Sequence, residues 1–258
     1  MLNSKKTKIV ATLGPATADP EVIKNMMIAG VNVFRINFSH ADYDDVRERI
    51  EMIRRINQEN GFHTAILADL QGPKLRVGVM EEGTVVTPGD KVTFVTGEPF
   101  VGNKERAYMN YEKFPADVRP GERILLDDGK LIFEVLSSNG ENEVEAVVIQ
   151  GGPFSSKKGV NLPNTKVSLP ALTEKDIRDA LFAITQEVDW FALSFVRHPE
   201  DIQDLKDLIE ENAGHKIPII AKIEKPEALK NIDKIMAACD GIMVARGDLG
   251  VEIPAEEV

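Results

Sequence analysis

The stretch DPEVIKNMMIAGVNVFRINFS, residues 19–39, holds a helix and a strand in immediate succession. Asp19 stands where a helix N-cap belongs, Pro20 takes the first helical position and Gly30 lies just past the end, so a helix is predicted between them. The strand that follows alternates cleanly. Val33, Arg35, Asn37 and Ser39 fall on one face, with Phe34, Ile36 and Phe38 on the other. Upstream, TKIVATLG (7–14) reads as a strand ending in a Gly-Pro turn. Downstream, YDDVRERIEMIRRINQENG (43–61) reads as an amphipathic helix stopped by Gly61, and TAILADLQG (64–72) as a third strand. A β-α-β-α-β order implies a parallel sheet with right-handed crossovers.

Three zones follow. Residues 1–71 form the first α/β part. Residues 72–166 change character: TVVTPGDKVTFVTG, ERILLDDGKLIFEVLSS and ENEVEAVVIQGG are β-rich, with no helical periodicity and with hairpin signals at DDGK and SNGEN. Residues 167–258 return to alternation. TEKDIRDALFAITQEV is a helix with Thr173 and Asp176 placed for a cap, WFALSFV a strand, PEDIQDLKDLIEENAG a helix and IPIIAKIE a strand; one helix through KPEALKNIDKIMAAC and a strand GIMVARGD complete the zone. Apolar runs such as TAILA and IPIIA suit strands buried on both faces. Two α/β architectures compete: a doubly wound open sheet, and a (β/α)8 TIM-type barrel with an all-β domain inserted after strand three. No G-x-G-x-x-G follows the first strand, and polar residues gather at the C-terminal ends of strands, which favours the barrel. Six strands cannot close a barrel of eight, so the chain is expected to be a fragment truncated before its last two β/α units.

The formal net charge of −11 argues against nucleic-acid or anionic-membrane partners, although a local cationic pocket can still take a small anion. The single cysteine, Cys239, fits a reducing cytoplasm, and there is no signal peptide or membrane span to read. Walker A, kinase Gly-rich, zinc-spacing and G-x-S-x-G patterns are missing from the sequence.

The chemistry-bearing residues lie at strand ends. In IPIIAKIE, Lys222 and Glu224 share a face, and a charged end after an apolar run is costly unless each charge has a partner. In GIMVARGDLG, Arg246 and Asp248 are expected to share a face too, with Gly247 allowing close approach to the backbone. Glu224 and Asp248 are a donor pair suited to Mg²⁺. Arg35 is a candidate clamp for phosphate or carboxylate. Lys74, Arg76, Lys157 and Lys158 offer cations at the two junctions of the β-rich zone. For each group the plain alternative is structural: an exposed ion pair, a Gly-Asp turn, a solvated hinge, a packed loop histidine at His40.

KIVATLGPA, FRINFSH, DLQGPKLR, KKGVNLP, IIAKIE and MVARGDLGVEIP together resemble the signatures of the pyruvate kinases, in that family's order and spacing across almost the whole chain. The resemblance implies a (β/α)8 barrel interrupted by a β-barrel domain, and a reaction that takes phosphoenolpyruvate and ADP to pyruvate and ATP with Mg²⁺ or Mn²⁺. It implies that Arg35 and Lys222 are catalytic and contact substrate together with Gly247 and Asp248. Glu224 and Asp248 become the divalent-metal ligands, and Arg76, Lys157, Asn37 and His40 the nucleotide contacts. Asn37, Ser39, Asp69 and Leu70 fall on the family's monovalent-cation site. Leu70 stands where threonine is usual and Lys74 where glutamate is usual, so the Lys74 ammonium is expected to substitute for K⁺ and K⁺ not to be required. A cytoplasmic homotetrameric parent is implied as well. Two other functions stand beside this one: a Mg²⁺-dependent pyruvate-enolate lyase or aldolase, and a non-catalytic ligand-binding fragment.

Overall fold

The computed structural model describes residues 6–258, and these form two compact units. The first contains the chain up to Gly72 with Ala171–Ile223 and Glu227–Met243; the second contains Pro73–Pro170, Glu224–Pro226 and Val244–Val258.

The first unit is built on six strands, β1 (Val10–Thr12), β2 (Val33–Asn37), β3 (Ala65–Leu70), β4 (Trp190–Leu193), β5 (Ile219–Ile223) and β6 (Gly241–Val244). Their order in the sheet is their order in the chain, and the pairs from β1 through β5 are parallel. A doubly wound sheet needs a reversal of strand order, and there is none in this sheet. The register sets Thr12 opposite Arg35, Asn37 opposite Asp69 and Leu193 opposite both Leu70 and Ala221. The strand ends are thereby brought level. Ile66, Leu67, Ala68 and Leu70 of β3 are fully buried, and β4 and β5 are nearly so, in keeping with a sheet covered on both faces.

The helices between these strands are α1 (Pro20–Ala29), α2 (Tyr43–Asn60), α3 (Glu174–Thr185) and α4 (Pro199–Asn212). The Asp19 carboxylate accepts from the Glu21 amide at 2.8 Å, and Gly30 closes α1 at φ 103°, a conformation that favours glycine. Thr173 and Asp176 form the expected capping box on α3. Two sequence expectations need correction. The single helix over 225–239 is two, Pro226–Lys230 and Ile232–Ala238, parted at Asn231. The Asn231 amide donates to the carbonyls of Arg197 (3.0 Å) and Glu227 (3.3 Å), a side-chain competition that interrupts a helix. The last strand stops at Val244, and Arg246–Glu252 is helical. Residues two apart on a helix do not face each other, so Arg246 and Asp248 do not share a face.

The second unit holds a six-stranded sheet. Its order is Val160–Asn161, Arg123–Leu126, Leu131–Ser138, Glu143–Gln150, Lys91–Val95 and Arg106–Tyr108, with only the last pair parallel. Val85–Val86 and Gly152–Pro153 make a separate two-stranded ribbon. Both hairpin signals form hairpins: DDGK joins Arg123–Leu126 to Leu131–Ser138, with Asp127, Asp128 and Gly129 all at positive φ, and SNGEN joins the next pair. One short helix, Phe114–Asp117, was not signalled by periodicity. The core centres on Phe94, which meets Phe133 and Phe114 edge-on at ring separations of 5.3 and 6.2 Å.

Within this unit Glu252, with a fully buried side chain, pairs with Lys225 and accepts from Asn161 Nδ2 at 2.9 Å. Lys225→Met is expected to destabilise the protein by about 3 kcal/mol, because it strands a buried carboxylate. Chemical denaturation checks this; an unchanged midpoint would show that the pair carries no net stability.

Candidate active site

Consecutive parallel strands each deliver one polar group to the same end of the sheet. Thr12 closes β1, Arg35 lies near the end of β2, Asp69 and Leu70 end β3, Ser194 follows β4 and Lys222 lies near the end of β5. These groups are in contact. Arg35 Nε donates to Asp69 Oδ2 at 2.7 Å and Arg35 Nη2 pairs with the same oxygen, while Arg35 Nη1 donates to Thr12 Oγ1 at 3.2 Å. The Lys222 ammonium lies 3.2 Å from Asp69 Oδ1 and donates to Ser194 Oγ at 2.7 Å. Ser194 Oγ in turn donates to the Leu70 carbonyl at 2.7 Å.

Burial gives this network its electrostatic character. The Asp69 side chain is 2% exposed, that of Lys222 10% and that of Arg35 28%. Two cations, Arg35 and Lys222, share one carboxylate, Asp69. Charges withdrawn from water need partners, and a guanidinium and an ammonium gathered at strand ends are groups suited to an anion.

The surrounding backbone is held from outside. Gly72, in the turn after β3, sits at φ 69° and donates its N–H to the buried Asp176 at 3.1 Å. A Cβ at Gly72 would come within 2.9 Å of the Phe195 ring and 3.0 Å of the Ser194 carbonyl, so only glycine fits there. Phe195 itself has φ 55°, a strained conformation for an aromatic residue directly after Ser194. The turn after β2 is pinned by Lys175, whose ammonium donates to the Phe38 carbonyl at 2.7 Å and to Asp179 at 2.5 Å. Tyr43 donates to the other Asp179 oxygen at 2.8 Å and stacks on Phe182 at 4.2 Å. Burial first, and then the hydrogen bond to Asp179, push the Tyr43 hydroxyl up to about 12.

Of the residues singled out from sequence, Arg35, Asp69, Leu70 and Lys222 converge. Asn37 ends β2, but its side chain accepts from the Ser39 amide at 3.0 Å; Ser39 belongs to a 3-10 turn, Phe38–His40, so the strand alternation that grouped it with Arg35 stops at Asn37. The side chain of His40 lies outside the described residues. Glu224 follows β5 directly and is 2% exposed, while Gly247 and Asp248 sit exposed in the first turn of the last α-helix. In the second unit, Arg76 Nη1 donates to the Lys157 carbonyl at 2.8 Å, Lys157 takes φ 58°, and Lys158 pairs with Asp127. Lys74 is exposed, and its carbonyl accepts from Asn110. Sequence reasoning passed over Ser194 and Thr12. The signal for Ser194 was a polar residue breaking the apolar run WFALSFV.

A sequentially ordered parallel sheet with its ionic groups gathered at the C-terminal strand ends defines an α/β protein of the kind that binds ligands and does chemistry at that end. The chain belongs to the pyruvate kinase family: the family model described as "Pyruvate kinase, barrel domain" matches residues 4–258. It is 45% identical over 254 residues to the pyruvate kinase of Corynebacterium efficiens, covering 98% of this chain and 53% of the relative. It is 47% identical over 260 residues to pyruvate kinase 2 of Synechocystis sp., covering 98% and 43%, and 41% identical over 255 residues to the pyruvate kinase of Clostridium perfringens, covering 98% and 54%. The chain thus spans about half the length of the curated relatives it matches.

Proposed function

We propose that the protein carrying this chain transfers the phosphoryl group of phosphoenolpyruvate to ADP, giving pyruvate and ATP. The observation that carries this reading is the Arg35–Asp69–Lys222 cluster, two cations held on one buried carboxylate at the strand ends, in a chain of the pyruvate kinase family. Asp69 and Thr12 fix the Arg35 fork, which holds the substrate phosphate. Lys222, held by Asp69 and Ser194, stabilises charge on the phosphoryl group in transit. Gly247 and Asp248 contact phosphoenolpyruvate, and Arg76 and Lys157, with Asn37 and His40, contact the nucleotide. The fold proposed around these groups is a (β/α)8 barrel, residues 1–71 and 167–258, with residues 72–166 as its inserted β domain.

Mg²⁺ or Mn²⁺ is the proposed cofactor, held by Glu224 and Asp248. Two carboxylates completed by waters and phosphate oxygens suit such an ion, which seldom sits in an all-protein cage. When bound, such an ion neutralises phosphate charge. A coupled assay of ADP-dependent pyruvate formation by the full-length protein tests the function; pyruvate formed without ADP, or none at all, overturns it.

K⁺ is proposed not to be required. Lys74 stands where the family usually has glutamate, and its ammonium is proposed to supply the charge that K⁺ would bring to the Asn37, Ser39, Asp69 and Leu70 oxygens. Activity is therefore expected to be equal, within about twofold, when K⁺ is exchanged for a bulky organic cation, and Lys74→Glu is expected to introduce K⁺ dependence. Stimulation of the unmutated enzyme by K⁺ of tenfold or more sinks the idea. Among the described residues no helix is long and apolar enough to cross a membrane.

A further inference from the structure

We propose that Ser194 is a positioning residue for Lys222, and that Gly72 holds Ser194 in place; this rests on the phosphoryl-transfer reading of the same site. Ser194 is 2% exposed, and its hydroxyl lies between two partners, the Lys222 ammonium at 2.7 Å and the Leu70 carbonyl at 2.7 Å. An ammonium only donates, so the hydroxyl oxygen accepts from Lys222 and its own proton goes to Leu70. The direction of both bonds is thus fixed without ambiguity of rotor. One hydroxyl ties the end of β3 to the end of β5 through the turn after β4, and it sets the height of the Lys222 ammonium above the sheet.

The hydroxyl is itself braced. Gly72 leaves no room for a side chain between its own Cα and the Ser194–Phe195 backbone, with a virtual Cβ 3.1 Å from Ser194 Cβ and 2.9 Å from the Phe195 ring. The Gly72 N–H is anchored on Asp176, which also caps α3. Phe195 is held at φ 55° directly after the serine, a conformation that persists only where the surroundings over-determine it. Ser194 acts on the reaction through Lys222, to which its hydroxyl is hydrogen-bonded.

The test compares Ser194→Ala, Ser194→Cys and Ser194→Thr in the full-length protein. Thr keeps an oxygen acceptor, Cys keeps the volume with a poor one, and Ala keeps neither. Expected is a fall in kcat of about ten- to a hundredfold for Ala and Cys, with KM for phosphoenolpyruvate changed by less than about threefold and with Thr retaining most of the activity. Exchange of the Lys222 ammonium protons, followed by NMR, is expected to speed up in Ala and Cys and not in Thr. Normal kcat in Ala, or equal losses in Thr and Ala at unchanged thermal stability, overturns the proposal. If Ala does not fold, the Cys and Thr pair decides alone. If the unmutated protein makes no pyruvate while the exchange difference persists, the phosphoryl-transfer reading has failed and the Ser194–Lys222 coupling stands.

Discussion

In the full-length protein, Lys222→Met is expected to lower kcat for pyruvate formation by at least about 10²–10³ while leaving the fold in place. The two halves of this expectation have separate causes. Lys222 supplies a preorganised charge where phosphoryl charge develops, and a thioether supplies none. Methionine nevertheless fills much of the volume of the lysine stem. Asp69 keeps its two contacts from Arg35, so the substitution leaves a paired carboxylate behind. The melting temperature is therefore expected to move by only a few degrees. Turnover within tenfold of the unmutated enzyme, at matched folding, removes Lys222 from the chemistry.

Asp69→Asn is expected to act on stability instead. The carboxylate is 2% exposed and is the shared partner of Arg35 and Lys222. An amide keeps the shape and loses the charge, which leaves two cations facing each other at the strand ends. Removing one member of a buried ionic set costs about 3–5 kcal/mol. For a chain of this size that corresponds to a fall of roughly 6–20 °C in melting temperature. Calorimetry on the unmutated and Asp69→Asn proteins decides the matter: a fall under about 2 °C shows that Asp69 is dispensable for holding the two cations. Activity is expected to drop as well, since both Arg35 and Lys222 take their positions from this one side chain.

The contrast between these substitutions shows which parts of the site were legible in the chain. Arg35 and Lys222 could be singled out from sequence because each interrupts an apolar alternation, and a charge inside a buried strand needs a reason. The same logic identified Thr173, Asp176, Asp19 and Gly30 as helix boundaries, since caps are local and their partners lie within four residues. Alternation failed wherever the backbone left the strand. Ser39 and Arg246 were assigned faces on the assumption that β2 and β6 continued, whereas the chain turns into a 3-10 turn and a helix at those points. Local pattern also read one helix through Asn231, where a side-chain amide with partners 34 residues away broke it in two.

The sequence by itself determined the α/β alternation, the β-rich middle zone with its two hairpins, and the family, because these rest on period, turn chemistry and motif order within short windows. It also put Lys222 at the end of an apolar strand. Only the tertiary structure decided what Lys222 meets. Asp69 and Ser194 stand 153 and 28 residues before it in the chain, and neither spacing carries any trace of the contact. The physical reason is register: parallel strands linked by helices become neighbours at a level set by the whole sheet, and that level brings one carboxylate between two cations and one hydroxyl under the ammonium.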